Sequence, residues 1–180
     1  FNNYTTLAIK PYADGLQLLP AYLQQLEMES NGKSAANNGG VVNYHTAPVI
    51  WGGVGCNGQH AYMQLLHQGT QVVPVDFLVA KSSVHGSSEL HNLLVASCLG
   101  QSQALMSGQT DANLYKQCPG NKPSTTLMFD KLTPAAIGSL IALYEHKVFV
   151  QGVIWQIQSF DQWGVQLGKE LIKDILQLMD

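Results

Sequence analysis

The sequence predicts an α/β fold, a doubly wound three-layer αβα sandwich built on a mostly parallel sheet of about five strands. Three observations support this prediction. Strand-like apolar runs alternate with helical patterns, these runs show little polar alternation, and 180 residues fit one domain with a single core. Strands without polar alternation are buried on both faces, which requires helices on each side of the sheet.

Four segments have the β-branched and aliphatic composition of strands. The clearest is VVPVDFLVA at 72–80. Another segment contains Pro48, which we expect directly before a strand at 49–51, because proline cannot donate a hydrogen bond to a sheet ladder. The glycine-rich stretches 37–40 and 52–58 are expected to be turns or loops. The four strand segments cover residues 5–9, 41–51, 72–80 and 124–129.

Helical patterns fill the intervals between the strands and the end of the chain. The pair Thr133-Pro134 predicts a capped helix start with proline at the first helical position, and Asp161 is a candidate cap for the last helix. The last helix carries an apolar stripe of helical spacing from Val165 to Met179, so we expect it to lie against a core. The predicted helices cover residues 14–30, 59–68, 87–107, 134–147 and 161–179.

The composition excludes some classes of partner. Charged residues make up 12% of the chain, the net charge is −3, and the nine basic residues are all lysines. Nucleic-acid binders need a basic stripe and favour arginine, so nucleic acid is excluded as a partner. An anionic substrate would be held by lysine, backbone N–H groups, hydroxyls or an arginine on another polypeptide.

Cysteine usage and hydropathy predict a cytoplasmic protein that does not associate with membranes. Cys56, Cys98 and Cys118 are widely spaced and form no CxxC pair, which is typical of free thiols in a reducing compartment. No apolar run reaches the roughly 18 residues of a membrane span, and the first residues show no signal pattern. His60 and His67 are about two helical turns apart, too far to share a metal ion, so no metal site is expected.

Ligands of doubly wound sheets bind outside the carboxyl ends of the strands, where we expect three polar segments. In the first, Glu29 lies near the end of the predicted helix 14–30, a position that suits a general base. Gln25 is four residues earlier and would share its helix face. For this segment alone, a solvated helix end is the simpler explanation.

The second segment is GGVGCNGQH at 52–60. Its glycines fit neither of the common nucleotide-binding spacings, so its candidate residue is His60, at the start of the predicted helix 59–68. A histidine there could accept or relay a proton, and a capping or core histidine is the alternative.

The third segment covers 159–169. Gln162 at the start of the last helix and Lys169 two turns later share a face on which no acidic residue neutralises the lysine. A cation beside an amide donor suits an oxyanion, a sugar hydroxyl or a phosphate. An ordinary surface lysine is the alternative.

Five stretches together resemble the phosphoglucose isomerase family. They are MESNGK (28–33), NGQHAY (57–62), LLHQGT (65–70), ALYEHKVFVQGVIW (142–155), and SFDQWGV (159–165) followed by LGK (167–169). The resemblance implies that residues 1–180 form a single sugar-isomerase (SIS) domain, the C-terminal half of a homodimeric enzyme whose N-terminal SIS domain is absent here. It further implies interconversion of glucose 6-phosphate and fructose 6-phosphate, in glycolysis and gluconeogenesis, without a metal or cofactor and through a cis-enediol(ate).

The resemblance also implies a role for each candidate residue. Glu29 would be the base that moves a proton between C1 and C2, and Gln25 would line the same site. His60 would assist ring opening from the neighbouring subunit. Lys169 would serve ring opening and bind substrate oxygens, and Gln162 would contact the substrate phosphate.

The chain departs from the family pattern at several positions, which we interpret as a divergent, bacterial branch. Gly53 and Gln166 stand where the family usually has glutamate, Lys122 replaces an arginine, and the connection 108–120 is short. The family's phosphate loop and enediolate-stabilising arginine belong to the N-terminal half, so little activity is expected of this chain alone. The alternative is a non-catalytic SIS module that binds a phosphosugar or a protein partner.

Overall fold

Four strands form a single sheet in the computed structural model, which describes residues 2–84 and 86–179. Their order is β2-β1-β3-β4, and every neighbouring pair is parallel. The predicted fold class is confirmed, with one strand fewer among the described residues than the five expected. The strands are β1 (Thr6–Pro11), β2 (Val49–Gly52), β3 (Val75–Ala80) and β4 (Ser124–Phe129).

Six α-helices connect or follow these strands in the described part of the chain. The predicted helix 14–30 is divided into a 3-10 turn (Asp14–Leu16), an α-helix and a π-helix (Gln24–Glu29). No helix of the described residues is both long and apolar enough to span a membrane. The α-helices are α1 (Leu19–Leu23), α2 (Gly55–Gly58), α3 (Met63–Gln68), α4 (Ser88–Ser107), α5 (Pro134–Trp155) and α6 (Trp163–Gln177).

Helices cover both faces of the sheet, which makes the fold a three-layer sandwich. Phe77 of β3 belongs to a buried cluster with Leu66 of α3 and Leu105 of α4. The next residue, Leu78, belongs to a second cluster with Leu140 of α5. Successive strand residues point to opposite faces, so the apolar runs of the sequence supply both cores.

Helix α5 begins as predicted and continues beyond the predicted end. The Thr133 side chain accepts a hydrogen bond from the Ala136 N–H at 3.2 Å, and Pro134 occupies the first turn. The helix extends past residue 147 to Trp155 and is closed by Gln156 in the left-handed conformation, with φ 54°. Its additional turns are apolar on most sides. They therefore lack the apolar residues repeated on a single face by which a helix is recognised in a sequence.

Two expectations about the last helix are wrong. Asp161 does not cap it, because α6 begins at Trp163 and Asp161 pairs instead with Lys33 at 3.4 Å. The apolar stripe does not lie against a core of this chain, since no residue of α6 is buried and Leu171 is 51% exposed. A stripe shows which face of a helix favours burial, but it does not say which polypeptide covers that face.

Candidate active site

Only one of the three candidate segments lies at the carboxyl end of the sheet. The segment 52–60 leaves β2 and continues through α2 into a turn that carries His60. The prediction that His60 starts a helix over 59–68 is wrong, because α3 begins at Met63. The helix starts late because Tyr62 has a non-helical backbone, with φ −144° and ψ 2°. His60 is exposed in this turn.

The segment around Glu29 lies at the opposite, amino edge of the sheet, which corrects its expected position. The helical stretch after β1 returns towards the start of the neighbouring parallel strand. There the Asn31 carbonyl accepts a hydrogen bond from the Ala47 N–H at 3.3 Å, just before β2 begins. The carboxyl-edge rule describes loops that leave strands, whereas Glu29 ends a helix, so the rule does not apply to it.

Lys33 connects the Glu29 segment to the segment that carries Gln162. Its Nζ donates to the carbonyl oxygens of Glu29 and Asp161, both at 2.7 Å, and of Ser30 at 2.8 Å. It also forms an ion pair with the Asp161 carboxylate at 3.4 Å. Lys33 therefore satisfies carbonyls that the end of the helical stretch leaves free and holds the third segment against them. Sequence reasoning missed this role, although the lysine directly after a glycine turn was a signal for it.

Asn31 makes a second connection and is fully buried. Its Nδ2 donates to the Val148 carbonyl of α5 at 2.9 Å, and its Oδ1 accepts from the Ser159 hydroxyl at 2.5 Å. Gly152 allows this approach, because a Cβ at that position would lie 2.0 Å from the Ser159 Oγ. The first segment, α5 and the third segment are thus joined in one rigid unit.

Two adjoining cavities lie along this unit. Glu29 and Gln162 line a cavity of about 430 Å³, together with Lys33. Gln162 and Lys169 line a second cavity of about 380 Å³. Both cavities are in the size range of small-molecule sites. The structure thus brings together Glu29, Gln162 and Lys169, three of the five predicted site residues.

Gln25 and His60 line neither cavity. Gln25 and Glu29 are both exposed on the π-helix, about one helical turn apart. His60 lies at the carboxyl edge of the sheet, away from Glu29. Within one chain, these side chains therefore do not complete a single pocket.

A buried polar network supports the π-helix from behind. Glu27 is 2% exposed, and its carboxylate pairs with the Lys147 ammonium at 3.0 Å. The Tyr144 hydroxyl donates to the Asp76 carboxylate at 3.1 Å. Burial raises the pKa of Asp76, an effect that nearby Lys147 and the Tyr144 hydrogen bond partly offset. Burial, and then the Asp76 charge, raise the pKa of Tyr144 above its ordinary value.

The cavity pair offers a carboxylate, an amide and an ammonium group, a set suited to proton transfer on a polar or anionic molecule. Within residues 2–84 and 86–179, no three His, Cys, Asp or Glu side chains are grouped so that they could hold a metal ion. The charged and amide side chains that line the two cavities include the three predicted ones, Glu29, Gln162 and Lys169, together with Lys33 and Asp161.

Comparison with known proteins shows the family of this chain. The family model for phosphoglucose isomerase matches residues 1–180. The chain belongs to the phosphoglucose isomerase family. It is 58% identical to glucose-6-phosphate isomerase of Albidiferax ferrireducens over 175 residues, which are 97% of this chain and 34% of that protein. It is 53% identical to glucose-6-phosphate isomerase of Shewanella pealeana over 196 residues, covering 98% of this chain and 36% of that protein.

Solved structures with a similar fold include a member of the same family. The crystal structure of a glucose-6-phosphate isomerase from Chlamydia trachomatis superposes with a TM-score of 0.92 at 46% identity, covering 98% of this chain and 35% of that one. A hypothetical protein from Thermus thermophilus, TT0462, shares the fold at a TM-score of 0.77 and 22% identity. The chain thus spans about a third of the length of the relatives it matches, 34% and 36% of the two proteins above.

Proposed function

We propose that this chain is the C-terminal SIS domain, residues 1–180, of an enzyme that interconverts glucose 6-phosphate and fructose 6-phosphate. One observation carries the proposal: Glu29 and Gln162 line one cavity, Lys169 lines the adjoining one, and Lys33 holds the two segments together. The family relationship supports the reaction. The remainder of the site is assigned to an N-terminal SIS domain, since the chain covers about a third of its relatives, 34% of one of them.

Each residue in the cavity pair has a role in this reaction. Moving a proton between adjacent carbons needs one base above the plane of the enediol, and Glu29 is that base. The anionic intermediate needs a cation, and an arginine from the N-terminal half supplies it, because this chain has none. Lys169 contacts substrate oxygens and assists ring opening. Gln162 donates to the phosphate.

His60 and Gln25 act from outside the cavity pair of their own chain. His60 lies at the carboxyl edge of the sheet and Glu29 at the amino edge, so a second copy of the chain is the source of the His60 that serves a given Glu29. We infer that the site lies between the subunits of a homodimer, and we propose that the enzyme acts in the bacterial cytoplasm. Gln25, exposed one turn before Glu29, is assigned a substrate contact.

The proposal is tested with a coupled assay that converts fructose 6-phosphate to glucose 6-phosphate. We expect the full-length protein to be active, the isolated chain to have little or no activity, and Glu29→Gln in the full-length protein to lower kcat by roughly 10²- to 10⁴-fold. Glu145→Gln, an exposed glutamate of α5 bonded to Tyr22, is the matched control and keeps its activity.

Three results would contradict parts of the proposal. Robust turnover by the isolated chain would show that the N-terminal half is not needed. Full activity of Glu29→Gln would remove Glu29 as the base. An inactive full-length protein that still binds fructose 6-phosphate would favour the non-catalytic SIS module.

A further inference from the structure

A buried lysine lies beneath the segment that carries His60. Lys10, on β1, is fully buried. Among the residues that the structure describes, the ion pairs of lysines with carboxylates involve Lys33, Lys81 and Lys147, and Lys10 forms none. A buried ammonium without a carboxylate partner is unusual, because removing a charge from water disfavours folding.

The Lys10 ammonium is instead surrounded by the chain from Gly55 to Tyr62. Its Nζ donates to the Gly55 carbonyl at 3.3 Å and to the Tyr62 hydroxyl at 3.4 Å, and it lies 4.4 Å from the centroid of the Tyr62 ring. A Cβ at Gly58 would lie 2.1 Å from Nζ, so the segment closes directly over the ammonium. The Tyr62 ring packs edge-on against Trp51 of β2, at 4.8 Å between centroids.

These contacts hold the chain on both sides of His60. Gly55 precedes it and Tyr62 follows it, and Lys10 holds both. The helices beside them are too short to hold the segment, since α2 covers only Gly55–Gly58. The exposed His60 therefore depends on this buried cation for its position.

We propose that Lys10 is a positioning residue for His60, holding the segment 55–62 so that the imidazole is presented in one orientation. The inference rests on the proposed function, in which His60 assists ring opening of the phosphosugar. Lys10 itself does not touch the substrate, and its effect on the reaction passes through His60.

The first experiment is a double-mutant cycle in the full-length protein. We expect Lys10→Met to lower kcat for glucose 6-phosphate by about 10- to 100-fold, the range for a misplaced catalytic group, and to cause no further loss in a His60→Ala background. Lys122→Met is the matched control. Lys122 is 7% exposed and also donates to a backbone carbonyl, that of Gly69 at 2.9 Å, so its loss tests the removal of a comparably buried lysine from another place.

The outcomes of the cycle are distinct. Losses that multiply in the Lys10→Met, His60→Ala double variant would overturn the inference, because Lys10 would then act independently of His60. An equal loss in Lys122→Met would also overturn it, since the effect would be a general one of removing a buried lysine. Tyr62→Phe removes one contact of Lys10 and keeps the ring, and we expect a smaller loss that also vanishes in the His60→Ala background.

The pH profile provides a readout that a merely structural role would not change. Burial lowers the pKa of Lys10 to about 8, and the neighbouring thiols of Cys56 and Cys98 partly offset this effect. We expect the kcat of the wild-type protein to fall as pH rises through about 8, because Lys10 then loses its charge. We expect this alkaline fall in kcat, the alkaline limb of the pH profile, to be absent in Lys10→Met. Tyr12 and Tyr62 also belong to this cluster, and burial raises the pKa of both, away from this range.

Cys56→Ser removes the exposed thiol of the cluster and is expected to keep the limb. A limb that persists in Lys10→Met, or disappears in Cys56→Ser, would overturn the inference.

Hydrogen exchange of the backbone amides separates this inference from the proposed function. We expect residues 55–62 to exchange faster in Lys10→Met than in the wild-type protein or in Lys122→Met. Unchanged exchange would overturn the inference whatever the activities are. An inactive wild-type protein would overturn the proposed function, and the exchange rates would still decide whether Lys10 holds the segment.

Discussion

At the scale of single residues, Lys33 shows how a side chain outside the chemistry can determine the geometry of a site. It is 16% exposed, and it joins the end of the Glu29 segment to Asp161, the neighbour of Gln162. Hydrogen bonds from a charged donor are among the stronger contacts in proteins. The distance between the side chains of Glu29 and Gln162 therefore depends on this lysine.

We expect Lys33→Met to lower kcat by about tenfold or more and to destabilise the fold by about 1–3 kcal/mol, because three carbonyl oxygens lose their donor. Steady-state kinetics and urea unfolding of the full-length protein measure the two effects. Lys81→Met is the control, since its ion pair with Asp130 is exposed and such pairs contribute about 0–1 kcal/mol. Equal losses in the two variants would contradict this role.

Lys10 gives a second residue-scale prediction, which concerns stability and pH. Its pKa is about 8 in the folded protein and 10.5 ordinarily, so the unfolded chain binds the additional proton between these values. The free energy of unfolding therefore rises with pH from about 8 to 10.5, and the contribution of Lys10 is constant below this window.

We expect the unfolding free energy of Lys10→Met minus that of wild type to decrease between about pH 8 and 10.5, by on the order of 3 kcal/mol, because only wild type releases a proton from Lys10 on folding in this range. Urea unfolding at several pH values measures it, and a difference that grows with pH would contradict the prediction.

At the scale of elements, α5 carries two glycines whose surroundings differ. A Cβ at Gly152 would meet the Ser159 Oγ at 2.0 Å and the Asn31 Oδ1 at 3.3 Å, whereas a Cβ at Gly138 would meet nothing within 4 Å. One glycine is therefore required by packing, and the other only weakens the helix.

We expect Gly152→Ala to destabilise the protein by about 1–3 kcal/mol, because the methyl group separates α5 from the third segment. Gly138→Ala is the matched control on the same helix, and we expect it to stabilise by up to about 1 kcal/mol. Thermal unfolding of both variants tests the pair. A Gly152→Ala variant as stable as Gly138→Ala would show that the segments are not packed as described.

Local sequence patterns predicted most elements but not how the segments meet. The apolar run at 72–80 and the cap at Thr133 each depend on neighbouring residues, and both predictions are confirmed in substance by β3 and α5. The π-helix has a tertiary contact that local patterns do not contain, since its buried Glu27 pairs with Lys147, 120 residues away in the chain. A spacing of four residues between Gln25 and Glu29 carries no information on such a contact.

The site was predictable to a similar extent. The residue types of Glu29, Gln162 and Lys169 indicated chemistry, and the structure places these side chains along adjoining cavities. The sequence did not identify the roles of Lys33 and Lys10. Most lysines lie on the protein surface, and the sequence alone does not show which of them are buried.

At the scale of the whole molecule, the last helix presents an apolar face with no cover. Leu171 and Ile175 are four residues apart on α6, and both are more than half exposed, at 51% and 56%. Exposed apolar patches of this kind are typical of interaction surfaces. The isolated chain is therefore expected to self-associate.

We expect the double variant Leu171→Glu, Ile175→Glu to make the isolated chain monomeric, because like charges replace the apolar face at which copies would meet. Sedimentation velocity at several concentrations measures the change. Lys173→Glu, a charge change on the same helix, is the control and is expected to leave association intact. A wild-type chain that is monomeric at all concentrations would contradict the prediction.

The placement of Glu29 and His60 at opposite edges of one sheet has a genetic consequence under the proposed function. If each site takes its base from one copy and its histidine from another, two alleles that are separately inactive, one lacking Glu29 and one lacking His60, can rescue each other in a cell that expresses both. Half of the sites in a mixed dimer then contain neither lesion, and the other half contain both. Growth that depends on the isomerase would reveal this complementation, and two alleles that both lack Glu29 would show none.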